Sequence, residues 1–224
     1  MGTIWLANAE PETSWAHHAW TDFAAPAQKE YAIVVLPLHG FARHGADRPL
    51  DIEEVLGASV LRQAVAKAKA HFAARVLPPL RFAPAAKTDG LFGIDSETAY
   101  DLVAEIAAGV AAAGFHKLVF FNVSPINEPF VAVAALDACV RSSLRTYVIH
   151  ARSLGLDPSR DQAGDVAPLP DHLAKLLMEI RQHLAPPVSS PVIDQPIAHT
   201  SPTAIFPIHR TRYLPAFPPS ELAG

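Results

Sequence analysis

One short segment of the chain is dense in side chains that can coordinate a metal ion. It follows an apolar run and combines imidazole and carboxylate groups at close spacing. Its members are His39, His44, Asp47, Asp51, Glu53 and Glu54. This mixture of donors suits zinc or manganese. The same residues could instead form a solvated loop that caps the following helix, because acidic side chains stabilise a helix amino terminus. Spacing alone leaves both interpretations open.

Alternating apolar runs and helical patterns indicate which elements would position this segment. The predicted strands cover residues 31–37, 75–79, 117–121 and 145–150. The predicted helices cover residues 52–74, 95–113, 126–141 and 171–184, and Asp95 or Ser96 would cap the second of them. Continuous apolar runs are typical of parallel strands that are buried on both faces. The order therefore predicts an α/β fold, a three-layer α/β/α sandwich with a mainly parallel sheet.

The composition divides the chain near residue 185. We expect residues 1–184 to form a single α/β domain, with a short helix within about the first 28 residues. Residues 185–224 contain nine prolines and apolar residues without a period. This pattern predicts an extended, proline-rich arm wrapped over its own domain or a neighbour, and a disordered tail is the alternative.

Charge and cysteine content exclude several classes of protein. The chain has 18 basic and 22 acidic residues, a net charge of −4, so we expect no nucleic-acid partner. A single cysteine, Cys139, excludes a disulfide framework and fits the reducing cytoplasm; its apolar helix predicts a small core side chain. The start of the chain lacks the pattern of a signal peptide. The longest apolar runs fall short of a membrane span of about 18 residues.

Three loops should meet at the carboxyl ends of the parallel strands, where open sheets bind their ligands. They cover residues 38–51, 122–128 and 151–165. Arg43 in the first loop could bind a substrate carboxylate or phosphate, or could be solvated. Asn122 should hydrogen-bond the turn between strand and helix. No segment indicates a nucleotide cofactor, and the cleft could take a small-molecule ligand.

Three segments carry a resemblance to a known family. LPLHGFARHGADRPL at residues 36–50 resembles the signature segment of the creatininase (creatinine amidohydrolase) family. GFHKLVFFN, followed by VSPIN, resembles the family segment GFRKIVIVNGHGGN, and QAGD at residues 162–165 resembles its HAGE segment. The anchors keep the family order over about residues 30–166. The resemblance implies the family's fold, metal-dependent hydrolysis of C–N (amide) bonds, and assembly as a homo-oligomer.

The resemblance also implies which metal ligands the chain keeps. For one of the family's two metals, Ala42 and Ser124 stand where relatives have glutamate and histidine. For the other, the resemblance implies His44, Glu53 and Asp165 as ligands of one zinc or manganese ion. Gln162 replaces a histidine that is a catalytic candidate in relatives.

Three functions remain open on this basis. We favour a non-catalytic or accessory subunit of an oligomer. The oligomer would consist of copies of this chain, or of this chain and an active paralogue. The alternative is a mononuclear, metal-dependent amidohydrolase that acts on a cyclic amide or formamide. In that enzyme Asp47 or Glu54 would be the general base, and His39 would donate a proton to the leaving nitrogen. Its substrate would contact Arg43, Ser124 and Asn122. A small-molecule binding protein without chemistry is a third reading of the same cleft.

Overall fold

A parallel sheet lies at the centre of the protein. The structure is a computed structural model, and it describes residues 12–23, 29–84, 93–159 and 168–182. Its strands are β1 (Ile33–His39), β2 (Ala74–Val76), β3 (Leu80–Arg81), β4 (Ala83–Pro84), β5 (Gly93–Ile94), β6 (Lys117–Asn122) and β7 (Arg145–His150). The main sheet has the order β2–β1–β6–β7, and β3 pairs with β1 as well. The strands β4 and β5 form a separate parallel pair.

Helices cover both faces of this sheet. They are α1 (Ile52–Ala68), α2 (Ser96–Ala112), α3 (Glu128–Ser142) and α4 (Leu169–Gln182). Successive side chains of a strand point to opposite faces. Accordingly, Ile33 and Val35 share a core with α1 and α4, whereas Val34 and Leu36 share a second core with α2 and α3. The predicted three-layer α/β/α sandwich with a parallel sheet is confirmed.

The strand register brings several polar residues to one edge of the sheet. Leu38 of β1 lies opposite Asn122 of β6, and Asn122 lies opposite His150 of β7. On the other side of β1, His39 lies opposite Arg81 of β3. Because all these pairings are parallel, the carboxyl ends of four strands and the loops that follow them meet here.

The predicted boundaries agree with the structure where the sequence signal is strong. β7 has the predicted bounds, and Asp95 caps α2 by accepting hydrogen bonds from the backbone N–H groups of Glu97 and Thr98. α1 ends at Ala68, six residues before its predicted end, because the chain must turn before β2 begins at Ala74. The expected early helix is two short 3-10 helices, Trp15–His17 and Trp20–Phe23.

The prediction that Cys139 is a core side chain is wrong. The thiol is exposed, because the buried face of α3 passes through Ala134, Ala135 and Ala138 and leaves the next position outside. The same outer face of α3 carries the exposed side chains of Val133, Leu136 and Val140. α3 is apolar on both sides, so its sequence does not reveal which side faces the sheet.

The chain divides into two units, Met1–Pro187 and Val188–Gly224. The predicted proline-rich arm, residues 185–224, lies outside the described residues, as do Gln162 and Asp165. Of the helices in the described ranges, none combines the length and the apolar character needed to cross a membrane.

Candidate functional site

Glu53 is the buried centre of the candidate site. It lies in the first turn of α1, and its side chain is fully buried. The backbone N–H of Gly40 donates to its Oε2 at 2.5 Å, and the Nε2 atom of His44 lies 2.7 Å from its Oε1. Each carboxylate oxygen therefore has a protein partner, as a buried carboxylate requires. The structure brings together two of the three residues that the sequence proposed as ligands of one metal.

The donor atoms fit one divalent ion in kind but are incomplete in number. An imidazole and a carboxylate are ordinary zinc ligands. Two donors on one tetrahedral zinc stand about 3.3 Å apart, so the 2.7 Å between His44 and Glu53 would have to widen. In the described part of the chain, no three His, Cys, Asp or Glu side chains are grouped so as to hold a metal. The third implied ligand, Asp165, lies outside that part.

The other half of the implied centre offers weaker donors. Ala42 is buried and has no donor atom in its side chain. Ser124 is also buried, and its hydroxyl has no hydrogen-bond partner within the described structure. A Cβ atom on Gly40 would lie 2.7 Å from Ser124 Oγ and 3.1 Å from Glu53 Oε2. The hydroxyl and the carboxylate thus lie against the same glycine, whose missing side chain leaves room for both. Gly40 was not singled out in the sequence, although a glycine directly after a buried strand signals close approach.

Asn122 is held by the turn that follows β6. Its Nδ2 donates to the carbonyl oxygen of Ser124 at 2.8 Å and lies 3.1 Å from Nδ1 of His150. In the same loop, Nδ2 of Asn127 donates to the carbonyl oxygen of Phe82 at 3.0 Å. The expected hydrogen bond to the turn is therefore present, and the contact of Asn122 with a substrate stays a prediction.

His39 is a buried imidazole at the end of β1. Its side chain is 1% exposed, and neither ring nitrogen has a hydrogen-bond partner among the described residues. Burial lowers the pKa of His39 to about 4; the charge of Glu54 raises it and that of Arg81 lowers it, both by less. The ring is therefore neutral at pH 7. Its role as a proton donor stays a prediction.

The ring of His39 packs against α1 where the helix has a glycine. A Cβ atom on Gly57 would lie 2.5 Å from Cγ2 of Val123 and 2.9 Å from Cε1 of His39. We expect Gly57→Ala to lower the free energy of unfolding by about 2 kcal/mol, because overpacking outweighs the helix propensity of alanine. Gly109→Ala in α2 is the matched control, since a Cβ there meets nothing within 4 Å. Urea denaturation should show the control stabilised; stabilisation of both variants would contradict this packing.

Glu54 is engaged by an arginine that the sequence did not indicate. Nε and Nη2 of Arg81 each donate to one oxygen of Glu54 at 2.6 Å. The hydrogen bonds from Arg81 lower the pKa of Glu54, so its carboxylate is ionised but already bonded to the guanidinium group of Arg81. Such a group is a weak general base. Asp47, the other proposed base, is exposed in the loop after β1. Arg81 lies in a two-residue strand, which leaves no periodic signal in the sequence.

A cleft of about 320 Å³ adjoins His44. Ala42 and Arg43 line it from the loop after β1, and Ile126 lines it from the loop after β6. Arg152, in the segment after β7, also lines it and gives the cleft a second guanidinium group. The predicted placement of Arg43 beside the cleft thus agrees with the structure, and Arg152 was missed. The lining does not include the fully buried Glu53, Ser124 or His39.

Comparisons with known proteins give a consistent result for fold. The model of the creatininase family, described as creatinine amidohydrolase, matches residues 16–184. No curated protein matches the chain. Among solved structures, a mutant creatininase of the Zn-Zn type has a TM-score of 0.56 and 18% identity, covering 65% of this chain and 60% of that one. A candidate creatinine amidohydrolase from Bacteroides fragilis has a TM-score of 0.60 and 12% identity, and the match covers 78% of this chain and 98% of that one. A creatininase with Mn has a TM-score of 0.54 and 17% identity, and the match covers 88% of this chain and 82% of that one. The chain thus spans less than two thirds of the length of the first of these.

Proposed function

The chain belongs to the creatininase family, and from this premise we propose that it is a non-catalytic member whose two-metal centre has become a structural element. One observation carries the proposal. Both oxygens of the buried Glu53 accept hydrogen bonds from the protein, one from Gly40 and one from His44. In a metal centre Nε2 of His44 and Oε1 of Glu53 would each bind an ion, whereas here the two atoms bond to each other, and the carboxylate joins the first turn of α1 to the loop after β1.

The other groups that hydrolysis would need support the same proposal. A pair of metals works by activating water and polarising the carbonyl together. Ala42 supplies no ligand for the second metal, and serine, as at position 124, is a poor ligand for a divalent ion. Glu54 is occupied by Arg81, and His39 does not line the cleft. The chain therefore keeps the scaffold of a hydrolase with few groups free to act on a substrate.

A mononuclear amidohydrolase is the second candidate. The observation that favours it is that His44 lines the cleft while its Nε2 touches Glu53, so two donors lie together beside a space for a small cyclic amide. Relatives are described as Zn-Zn and Mn proteins. His44, Glu53 and Asp165 would hold one such ion, which would polarise a substrate carbonyl. Arg43, which lines the same cleft, would orient the substrate.

We also propose that the chain assembles with further copies of itself through the outer face of α3. The exposed fractions of Val133, Leu136 and Val140 are 52%, 65% and 75%. Apolar side chains repeated along one helix face are typical of a contact surface. An active paralogue is the alternative partner. With one cysteine in the chain, we place this assembly in a reducing compartment such as the cytoplasm.

Metal analysis combined with an activity assay tests the proposed function. The protein is purified without chelator, offered excess zinc or manganese, and assayed with creatinine, small cyclic amides and formamides. We expect at most one equivalent of metal and no turnover. Turnover by a protein with one equivalent, lost together with the metal in His44→Ala, would establish the second candidate instead. Two bound equivalents with turnover would overturn both.

A further inference from the structure

A second recess, of about 530 Å³, lies at the other end of the sheet from the candidate centre. Tyr31 lines it two residues before β1 begins, and Ala74 lines it at the first position of β2. Residues 69–73, which join α1 to β2, also line it, as does Arg181 near the end of α4. The recess therefore belongs to the amino ends of the strands, whereas the cleft beside His44 belongs to their carboxyl ends.

The charges around this recess are predominantly positive. Its described lining includes the cations Lys69, Arg75 and Arg181 and one carboxylate, Glu12. Glu12 is paired with Lys69, whose Nζ donates to it at 3.0 Å. Neither arginine forms an ion pair within the described residues; Nη1 of Arg75 donates to the carbonyl oxygen of Ala74 at 3.0 Å. In a chain with a net charge of −4, this is a local excess of positive charge.

A buried lysine adds to that excess. Lys117 begins β6 and is 1% exposed, and its Nζ donates to the backbone carbonyl oxygen of Arg181 at 2.9 Å. Burial lowers its pKa, as do the charges of Arg145 and Arg181, while Glu30 raises it. Since the charge of Arg181 reaches the buried ammonium group, the recess and Lys117 form one electrostatic region.

Helix dipoles account for part of this arrangement. A cation near a helix carboxyl terminus is stabilised by the partial negative charge there. That explanation covers Lys69, which follows α1, and Arg181, which lies in the last turn of α4. It does not cover Arg75 or Lys117, because both belong to strands. Neither side chain forms an ion pair in the described part of the molecule, although the charge of Asp22 acts on Arg75 and that of Glu30 acts on Lys117.

We propose that this basic recess is a binding site for a small organic anion that carries two or more phosphate or carboxylate groups. Arg75 and Arg181 would donate charge-assisted hydrogen bonds to the anion, and guanidinium groups suit both phosphate and carboxylate oxygens. The half-exposed ring of Tyr31 supplies an apolar wall for the uncharged part of the ligand. The volume is within the range of small-molecule sites. This site does not depend on the proposed function of the centre at the carboxyl ends.

Titration calorimetry of the full chain tests the proposal, with inorganic pyrophosphate and citrate as separate probes at low ionic strength. We expect saturable binding of at least one probe, weakened when the salt concentration rises, because the attraction is electrostatic. Preference for one probe would distinguish a phosphate ligand from a carboxylate ligand. We expect Arg181→Gln and Arg75→Gln each to weaken binding at least tenfold.

Arg62→Gln is the matched control, because Arg62 is exposed on α1 and does not line the recess. Its binding should equal that of the unchanged protein. If Arg75→Gln fails to fold because it loses the hydrogen bond to Ala74, Arg181→Gln decides the result, since Arg181 is exposed. Absence of binding by both probes, unchanged binding in Arg181→Gln, or an equal loss in Arg62→Gln would overturn the proposal.

Discussion

Glu53→Ala should lower the free energy of unfolding by about 4 kcal/mol, the largest effect we expect of any single substitution. The change removes the acceptor of two hydrogen bonds in a fully buried place. It leaves the N–H of Gly40 and the ring nitrogen of His44 without their partner, and it opens a cavity at the start of α1. Urea denaturation at pH 7, without added metal, measures the loss.

The neighbouring carboxylate supplies the control for this prediction. Glu54 forms a bidentate ion pair with Arg81, whose side chain is 39% exposed, so solvent screening keeps the contribution of this pair well below that of a fully buried carboxylate. We expect Glu54→Ala to cost less than about 1 kcal/mol. If Glu53→Ala cost no more than this control, Glu53 would not be a structural residue. The argument for a non-catalytic protein would then fail with it.

His39 should make the protein sensitive to mild acid. Its pKa is about 4 in the folded protein and 6.5 in an unfolded chain, so the unfolded state takes up the proton first as the pH falls. The contribution of His39 to the stability of the folded state is therefore fully present above pH 6.5, and it is lost as the pH falls from 6.5 towards 4. We expect a loss of about 2 kcal/mol between pH 7.5 and pH 5 from this one group.

Denaturation curves of the unchanged protein and of His39→Leu, recorded at both pH values, isolate this contribution. Leucine cannot take up a proton, and it leaves no unpartnered nitrogen in the same buried place. The unchanged protein should lose about 2 kcal/mol relative to His39→Leu as the pH is lowered from 7.5 to 5. Parallel loss of stability in both proteins would assign the acid sensitivity to other groups.

The layered architecture could be predicted because its signal is local. Strands such as β1 and β6 lie between two layers of helices and are buried along their whole length, so they appear in the sequence as largely apolar runs. The helices between them are long enough to show their period and, for α2, a clear cap at Asp95. The resemblance also implies that His44 and Glu53 lie close together, although as ligands of one metal and not as hydrogen-bond partners.

Features that depend on tertiary contacts could not be predicted. β3 has two residues, and the bond from Arg81 to Glu54 depends on how β3 pairs with β1. The burial of His39 follows from the close approach of α1 at Gly57, which no spacing in the sequence reveals. The exposure of Cys139 likewise depends on which side of an apolar helix faces the sheet.

The position of Cys139 gives an experimental advantage. As the one cysteine of the chain, exposed on α3, it is a native attachment point for a fluorophore or spin label, and no background thiol has to be removed. The label would stand beside Leu136 and Val140, where a neighbouring molecule would change its emission or its mobility. Encounters between molecules could thus be followed in dilute solution by spectroscopy, without altering either the basic recess or the buried carboxylate.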